Sequence, residues 1–302
     1  MRTRTQRCVL RLAAAAALVT MLGADCGEPS PRASAPRLPA TPTAAPSPTS
    51  TPEEREAAER PRNKWVTRRP VWLGTRVLPD GPGGFGVVQP TPPVLRNRRF
   101  ATIDILPPPK GKRFRATIAP VPSAVAERST WRPKCPVPLE DLSYLTMTFW
   151  GFDRERHTGE MIVHSSVARD IVGVFRHLYQ ARFAIEEMRV VTLREQRRWK
   201  THSTGDTNVT SSLECRRTTL GTSWSEHSFG LAIDINPFHN PYLNGELVAP
   251  ELATAYTDRT NRRPGMVLEG DAVTRAFDAI GWGWGGRWSS MKDWMHFSQS
   301  GH

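Results

Sequence analysis

The chain has 302 residues, and length alone allows one large domain or two small ones. An apolar content of 38% suffices for a packed core and excludes a wholly disordered chain, while 27 prolines and 22 glycines imply long irregular connections. The net charge of +12 favours anionic surroundings (nucleic acid, acidic lipid or wall polymer), and no Lys/Arg run with interleaved aromatics singles out nucleic acid.

Residues 1–26 read as an export signal. Arg2, Arg4, Arg7 and Arg11 precede an apolar run from Leu12 to Leu22. That run is too short to span a bilayer, which needs about 20 residues, and suits a secretory signal peptide. Cys26 follows it and is a candidate for a lipid anchor. Asp25 stands where a lipoprotein signal wants a small residue, so cleavage after Ala24 is the rival reading. Either way the expected location is extracellular or wall-associated, with a membrane-anchored lipoprotein as one form of it. Export leaves Cys135 and Cys215 as a pair in an oxidising compartment, where a disulfide is expected and two buried thiols are the alternative. Closing that loop contributes on the order of 4 kcal/mol in the chain-entropy model.

Residues 27–62 are rich in Pro, Ala, Ser and Thr and cannot bury an apolar face, so they are expected to form an extended, disordered linker. Residues 63–132 carry short strand-like runs, WVTRRPVWLGTRVL and FATIDIL, interrupted by proline clusters. They read as an irregular accessory region wrapping a neighbour. Residues 133–302 read as the globular domain. LSYLTMTFWGF is expected as a strand, and Ile162–Phe183 as a helix, because Val163, Val167, Ile171, Val174 and Leu178 recur at spacings of three and four. Met188–Leu193 reads as a strand. In Leu231–Asn236, Leu231, Ile233 and Ile235 alternate with Ala232, Asp234 and Asn236, the pattern of a half-buried strand. Ala272–Ile280 reads as a short helix, GWGWGGRW as a glycine-rich loop and WMHFS as a returning strand. Helices and strands mix without βαβ alternation, so the expected class is α+β, with a small, mainly antiparallel sheet and flanking helices.

The chemistry concentrates in two stretches, SEHSFGLAIDIN (Ser225–Asn236) and DWMHF (Asp293–Phe297). His227 precedes the strand that carries Asp234, and Gly230 allows a sharp turn between them. His296 lies on another strand, with Met295 and Phe297 expected toward the core. Three ligands, His227, Asp234 and His296, leave a fourth position open, the pattern of a catalytic rather than a structural zinc site. Asp293 would oppose His296 on a continuous strand, so it is expected in the turn that enters that strand. From there it can act as a general base. Each of these residues alone is more often solvated surface. His157, His164, His177, His202 and His239 lack partner spacing and read as surface or packing residues. HExxH is absent, Ser225 lacks a GxSxG setting, and Trp282, Trp284 and Trp288 suit either sugar stacking or packing.

Ser225-x-His227-x-x-Gly230-x-Ala232-x-Asp234 followed by Asp293-x-x-His296 resembles the M15 zinc peptidases: D-Ala-D-Ala carboxypeptidases and dipeptidases, and phage L-Ala-D-Glu endolysins. The resemblance extends over most of residues 130–302. It implies a hedgehog/DD-peptidase-like zinc fold, zinc on His227, Asp234 and His296, and Asp293 as general base. It also implies an upstream arginine that stabilises the oxyanion, for which Arg216 is the candidate and Arg217 the alternative. An Asp at 293 matches the endolysin-like branch, whereas carboxypeptidases and dipeptidases more often have Glu, so the bond cut stays open. The expected function is a secreted zinc metallopeptidase acting on peptidoglycan stem peptides, first as a D-alanyl-D-alanine carboxypeptidase. An L-Ala-D-Glu-type endopeptidase and a non-catalytic, zinc-stabilised wall-binding module are the alternatives. Expected partners are stem peptides and anionic wall polymers, without nucleic acid.

Overall fold

A computed structural model of the chain describes residues 63–218 and 221–302. The signal (1–26, with Cys26) and the linker (27–62) lie outside the described residues. None of the described helices is long and apolar enough to cross a membrane.

The first layer is an antiparallel meander of β1 (Ala116–Pro120), β2 (Leu142–Trp150) and β3 (Arg156–His164), with helix α1 (Ser123–Arg128) between β1 and β2. Helix α2 (Ala168–Gln180) packs on this sheet through Ile171, Val174, Phe175 and Leu178. The helical periodicity read from Ile162 onward begins too early, because residues 162–164 finish β3. Ile162 and Val163 are both buried, in separate apolar clusters on opposite sides of the strand. A strand covered on both faces shows a continuous apolar run that periodicity alone cannot tell from helix. His164 ends the strand, its Nδ1 accepting from the backbone N–H of Ser166.

Downstream of α2, β4 (Glu187–Met188) and β5 (Val209–Thr210) pair in parallel, so only the start of the expected strand Met188–Leu193 is strand. Its end is the cap of α3 (Leu193–Thr201): Thr192 and Glu195 exchange side-chain and backbone hydrogen bonds in a capping box. A small antiparallel sheet follows in the order β6 (Ala232–Asp234), β11 (His296–Ser298), β9 (Gly283–Trp284). Beside it lies a second one, β10 (Lys292–Asp293), β7 (Tyr242–Asn244), β8 (Leu247–Ala249). Helix α4 (Ala272–Asp278) covers the β6 sheet, with Phe277 stacked on Phe297 at 4.0 Å between ring centres. The class is mixed α and β, built from several small antiparallel sheets and few helices.

Residues 63–132 contribute to the interior. Leu78, Leu95 and Phe100 are fully buried with Phe238, Leu252 and Tyr256. Arg98 donates from Nε and Nη2 to the two oxygens of Glu186, both at 2.8 Å, with each residue almost wholly buried. Asn208 donates to the same carboxylate, 2.7 Å away. Removing one member of such a pair leaves a buried, unpaired charge. Arg98→Ala is therefore expected to cost about 3–5 kcal/mol of stability, measured by urea unfolding.

Cys135 and Cys215 are bonded to each other. In the folded protein both should resist thiol reagents until reduced, and labelling of both without reductant would contradict the bridge. The bond anchors the segment that carries Glu214 and Arg216.

Candidate metal centre

The motif Ser225–Gly230 is a single local device. Ser225 caps a four-residue 3-10 turn (Glu226–Phe229) by accepting from the N–H of His227. Gly230 closes the turn at φ +69°, and a Cβ there would lie 2.6 Å from the backbone nitrogen of His164. Both the left-handed backbone and the close approach to β3 require glycine. The chain then enters β6, where Asp234 is paired across the ladder with His296 of β11. Opposed residues of an antiparallel pair project from the same face, so strand register sets the carboxylate beside the imidazole.

Three donor atoms meet here. His227 Nε2 lies 3.2 Å from His296 Nδ1, and Asp234 Oδ1 lies 3.3 Å from each of them. A tetrahedral ion with bonds of about 2.0–2.1 Å would separate its ligand atoms by roughly 3.3–3.4 Å, so this triangle matches a zinc-sized ion without rearrangement. The outer contacts agree. His227 Nδ1 is 2.7 Å from the carbonyl oxygen of Ser212, which can only accept, so Nδ1 carries the proton and Nε2 presents its lone pair to the cluster. His296 Nε2 lies 3.3 Å from the backbone oxygen of His302, leaving Nδ1 as the inward donor. All three residues are buried, and among the described residues they are the group of His, Cys, Asp and Glu arranged to hold a metal ion. The alternation that marks Asp234 as facing the polar side of a half-buried strand needs revision: β6 is buried throughout, and its polar face is this site.

Burial and mutual charge set the electrostatics of the cluster. Burial alone would raise the carboxyl of Asp234, but His227 and His296 outweigh it and hold the group well below the usual carboxylate range. Burial would likewise lower His227, and Asp234 more than compensates, raising it. Asp293 behaves oppositely: burial pushes its carboxyl up to about 7, with Asp234 adding to the rise. Its Oδ1 is buried and has no hydrogen-bond partner. Asp293 is not in a turn, as expected from sequence, but in β10, opposite Tyr242. The bend follows it, at Trp294 and Met295. That bend also reverses the expected facing: Trp294 enters the core, whereas Met295 lines the cleft with Asp234.

A folded-state pKa above the unfolded value of about 3.9 means that the native protein holds the Asp293 proton longer than the unfolded chain. In the metal-free protein this stabilisation is present at low pH and is lost as pH rises from about 4 to about 7. Metal-free Asp293→Asn should therefore melt a few degrees higher than metal-free wild type at pH 8, with the difference shrinking by pH 5. Thermal scans at the two pH values check this.

A cleft of about 650 Å³ reaches the cluster at Asp234, walled by that residue with Glu214, Arg216, Arg217, Met295 and Trp199 among others. Arg216 Nε donates to Glu214 Oε2 at 2.9 Å. Burial would lower the guanidinium, but Glu214, Asp234 and Asp293 together raise it, which places its charge within reach of both site carboxylates. The neighbouring Arg217 also lines the cleft, stacked on Trp224 with its guanidinium 3.9 Å from the ring centre. Of the tryptophans considered for sugar stacking, Trp282 and Trp284 are core residues. Trp288 is half-buried, its ring 5.7 Å from that of His296.

The remaining histidines divide. His177 and His202 are exposed. His157, read from sequence as lacking partners, is buried between Asp104 (2.8 Å from Nδ1) and Asp153 (3.1 Å from Nε2). His239 is buried against the carbonyl of Arg98, and burial lowers it to about 4. Sequence reasoning missed Glu214 as the partner of Arg216 and Ser212 as the carbonyl that orients His227. No spacing rule announces either, although Glu214 lies two residues before the arginine it holds.

Residues 219–299 match an M15 peptidase family model described as D-alanyl-D-alanine carboxypeptidase. The comparisons with curated proteins and with solved structures gave no match. The matched segment contains His227, Asp234, Asp293 and His296 and stops short of Arg216 and both cysteines. In its motif and in this match, the C-terminal part of the chain is similar to M15-family peptidases.

Proposed function

We propose that the chain is an exported, zinc-dependent peptidase that hydrolyses peptidoglycan stem peptides, acting as a D-alanyl-D-alanine carboxypeptidase. The observation that carries the reading is the His227–Asp234–His296 triangle with half-buried Asp293 interacting electrostatically with all three, its Oδ1 buried and without a hydrogen-bond partner. A structural metal site needs no such carboxylate. Zinc held by the three side chains would polarise the scissile carbonyl and make an attacking water more acidic. Ser212 and the backbone oxygen of His302 hold the two imidazoles in orientation. Asp293 Oδ1 accepts a proton from the attacking water and returns it to the leaving amine nitrogen. Arg216, fixed by Glu214 through Nε and by the Arg217 carbonyl through Nη1, offers Nη2 to the oxygen that gains charge.

The export signal and a lipid anchor at Cys26 belong to this proposal, as does attraction of the basic surface to anionic wall polymer. So does the division of the chain into signal, linker, accessory region and peptidase domain. A second reading, an L-Ala-D-Glu-type endopeptidase, draws support from Asp rather than Glu at 293 and from a cleft larger than a terminal dipeptide needs. Mass spectrometry of defined muropeptides after incubation separates the two. Loss of one terminal alanine supports the carboxypeptidase, and a stem split near its attachment supports the endopeptidase. Unchanged muropeptides would remove both.

A further inference from the structure

The cleft that reaches Asp234 is walled in part by residues outside the family match. Residues 79–87 form a tight hairpin, closed by a bridge between Asp80 and Gly86 and by the N–H of Gly81 donating to the carbonyl of Phe85 at 2.7 Å. Its tip, Gly83 and Gly84, has positive φ at both positions. The hairpin is tied down on two sides. The N–H of Leu78 donates to the carbonyl of Ser203 at 2.8 Å, and the N–H of Gly86 donates to the buried Glu251 carboxylate at 2.7 Å. Gly86 sits so close that a Cβ would lie 2.8 Å from the Cβ atoms of both Leu78 and Ser203. Phe85 is thereby held half-buried on the cleft rather than left on a free loop.

From α3, Trp199 and Lys200 reach the same cleft. Of the carboxylates lining it, Glu214 is engaged by Arg216, Glu251 by Gly86, and Asp234 by the two histidines. That leaves Lys200 and Arg217 as cations on the cleft with no carboxylate partner among the described residues. At about 650 Å³ the cleft is in the range that encloses a ligand of many atoms, and its walls combine two aromatic rings with unmatched positive charge.

We propose that Phe85, Trp199 and Lys200 form a distal subsite that grips an acidic portion of the stem peptide away from the reacting bond. The rings cover its apolar backbone and side-chain faces, and Lys200 meets a free carboxylate. The subsite makes the enzyme select long, acidic stems over short peptides. This rests on the stem-peptide reading above.

The test compares three synthetic substrates: a full stem with free carboxylates, the same stem amidated, and a short peptide with only the residues beside the cut bond. Lys200→Gln, at an exposed position, is expected to raise KM for the free-carboxylate stem about 10-fold and to leave the amidated stem and the short peptide unchanged. Phe85→Ala should raise KM for both stems and spare the short peptide. Equal effects on all three substrates, or none on any, overturn the subsite. Calorimetry of the same peptides on the zinc-loaded protein separates binding at the subsite from hydrolysis. Stems that bind uncut, and bind less tightly to Lys200→Gln, uphold the subsite and refute hydrolysis. Stems that do not bind at all refute the subsite.

Discussion

Asp293→Asn is expected to retain zinc at the wild-type level and to hydrolyse stem peptides about 10²- to 10⁴-fold more slowly, a barrier increase of about 3–5 kcal/mol. The substitution keeps the shape of the side chain but removes its ability to accept a proton. Asp293 is not one of the three converging donors, so metal content should not follow activity. Its Oδ1 makes no hydrogen bond that the amide would break, so misfolding is a poor explanation for any loss. Metal analysis and turnover measured on the same preparation check both halves. Wild-type turnover in Asp293→Asn would remove the residue from the mechanism. Stem binding without turnover in the wild type would favour a wall-binding module.

His227→Ala and His296→Ala should show the reverse coupling, losing metal and activity together. The outer partners of metal ligands are themselves worth about 10- to 100-fold in affinity, so loss of an inner ligand should weaken zinc binding by at least about 100-fold. The void also strands Asp234, whose carboxylate is kept ionised in the metal-free protein largely by these two imidazoles. Competition with a chelator of known affinity measures the change. Undiminished zinc in both variants would mean that the metal sits elsewhere.

The matched region was legible because its fixed residues do local work. Ser225 caps a turn, Gly230 ends it where a side chain cannot fit, and a short strand carries Asp234 to its cross-strand neighbour. Such jobs leave fixed spacings, and spacings survive in sequence. The helix α3 was also within reach, since Thr192 and Glu195 stand at capping-box distance, but the apolar run before them reads as strand. What lay beyond reach depends on distant packing. The start of α2 was misplaced because β3 is covered on both faces, and the face of Met295 because a bend separates β10 from β11. The hairpin at residues 79–87 carries no catalytic pattern at all. It joins the cleft through bonds to Ser203 and Glu251, more than a hundred residues away.

The central claim, that a metal on His227, Asp234 and His296 enables stem-peptide hydrolysis, is tested most directly by returning zinc to chelator-treated protein and following muropeptide cleavage. The account predicts no cleavage without metal and a rise to full activity that levels off at about one zinc per chain. Full cleavage by the metal-free protein, or none at any zinc concentration, would contradict it.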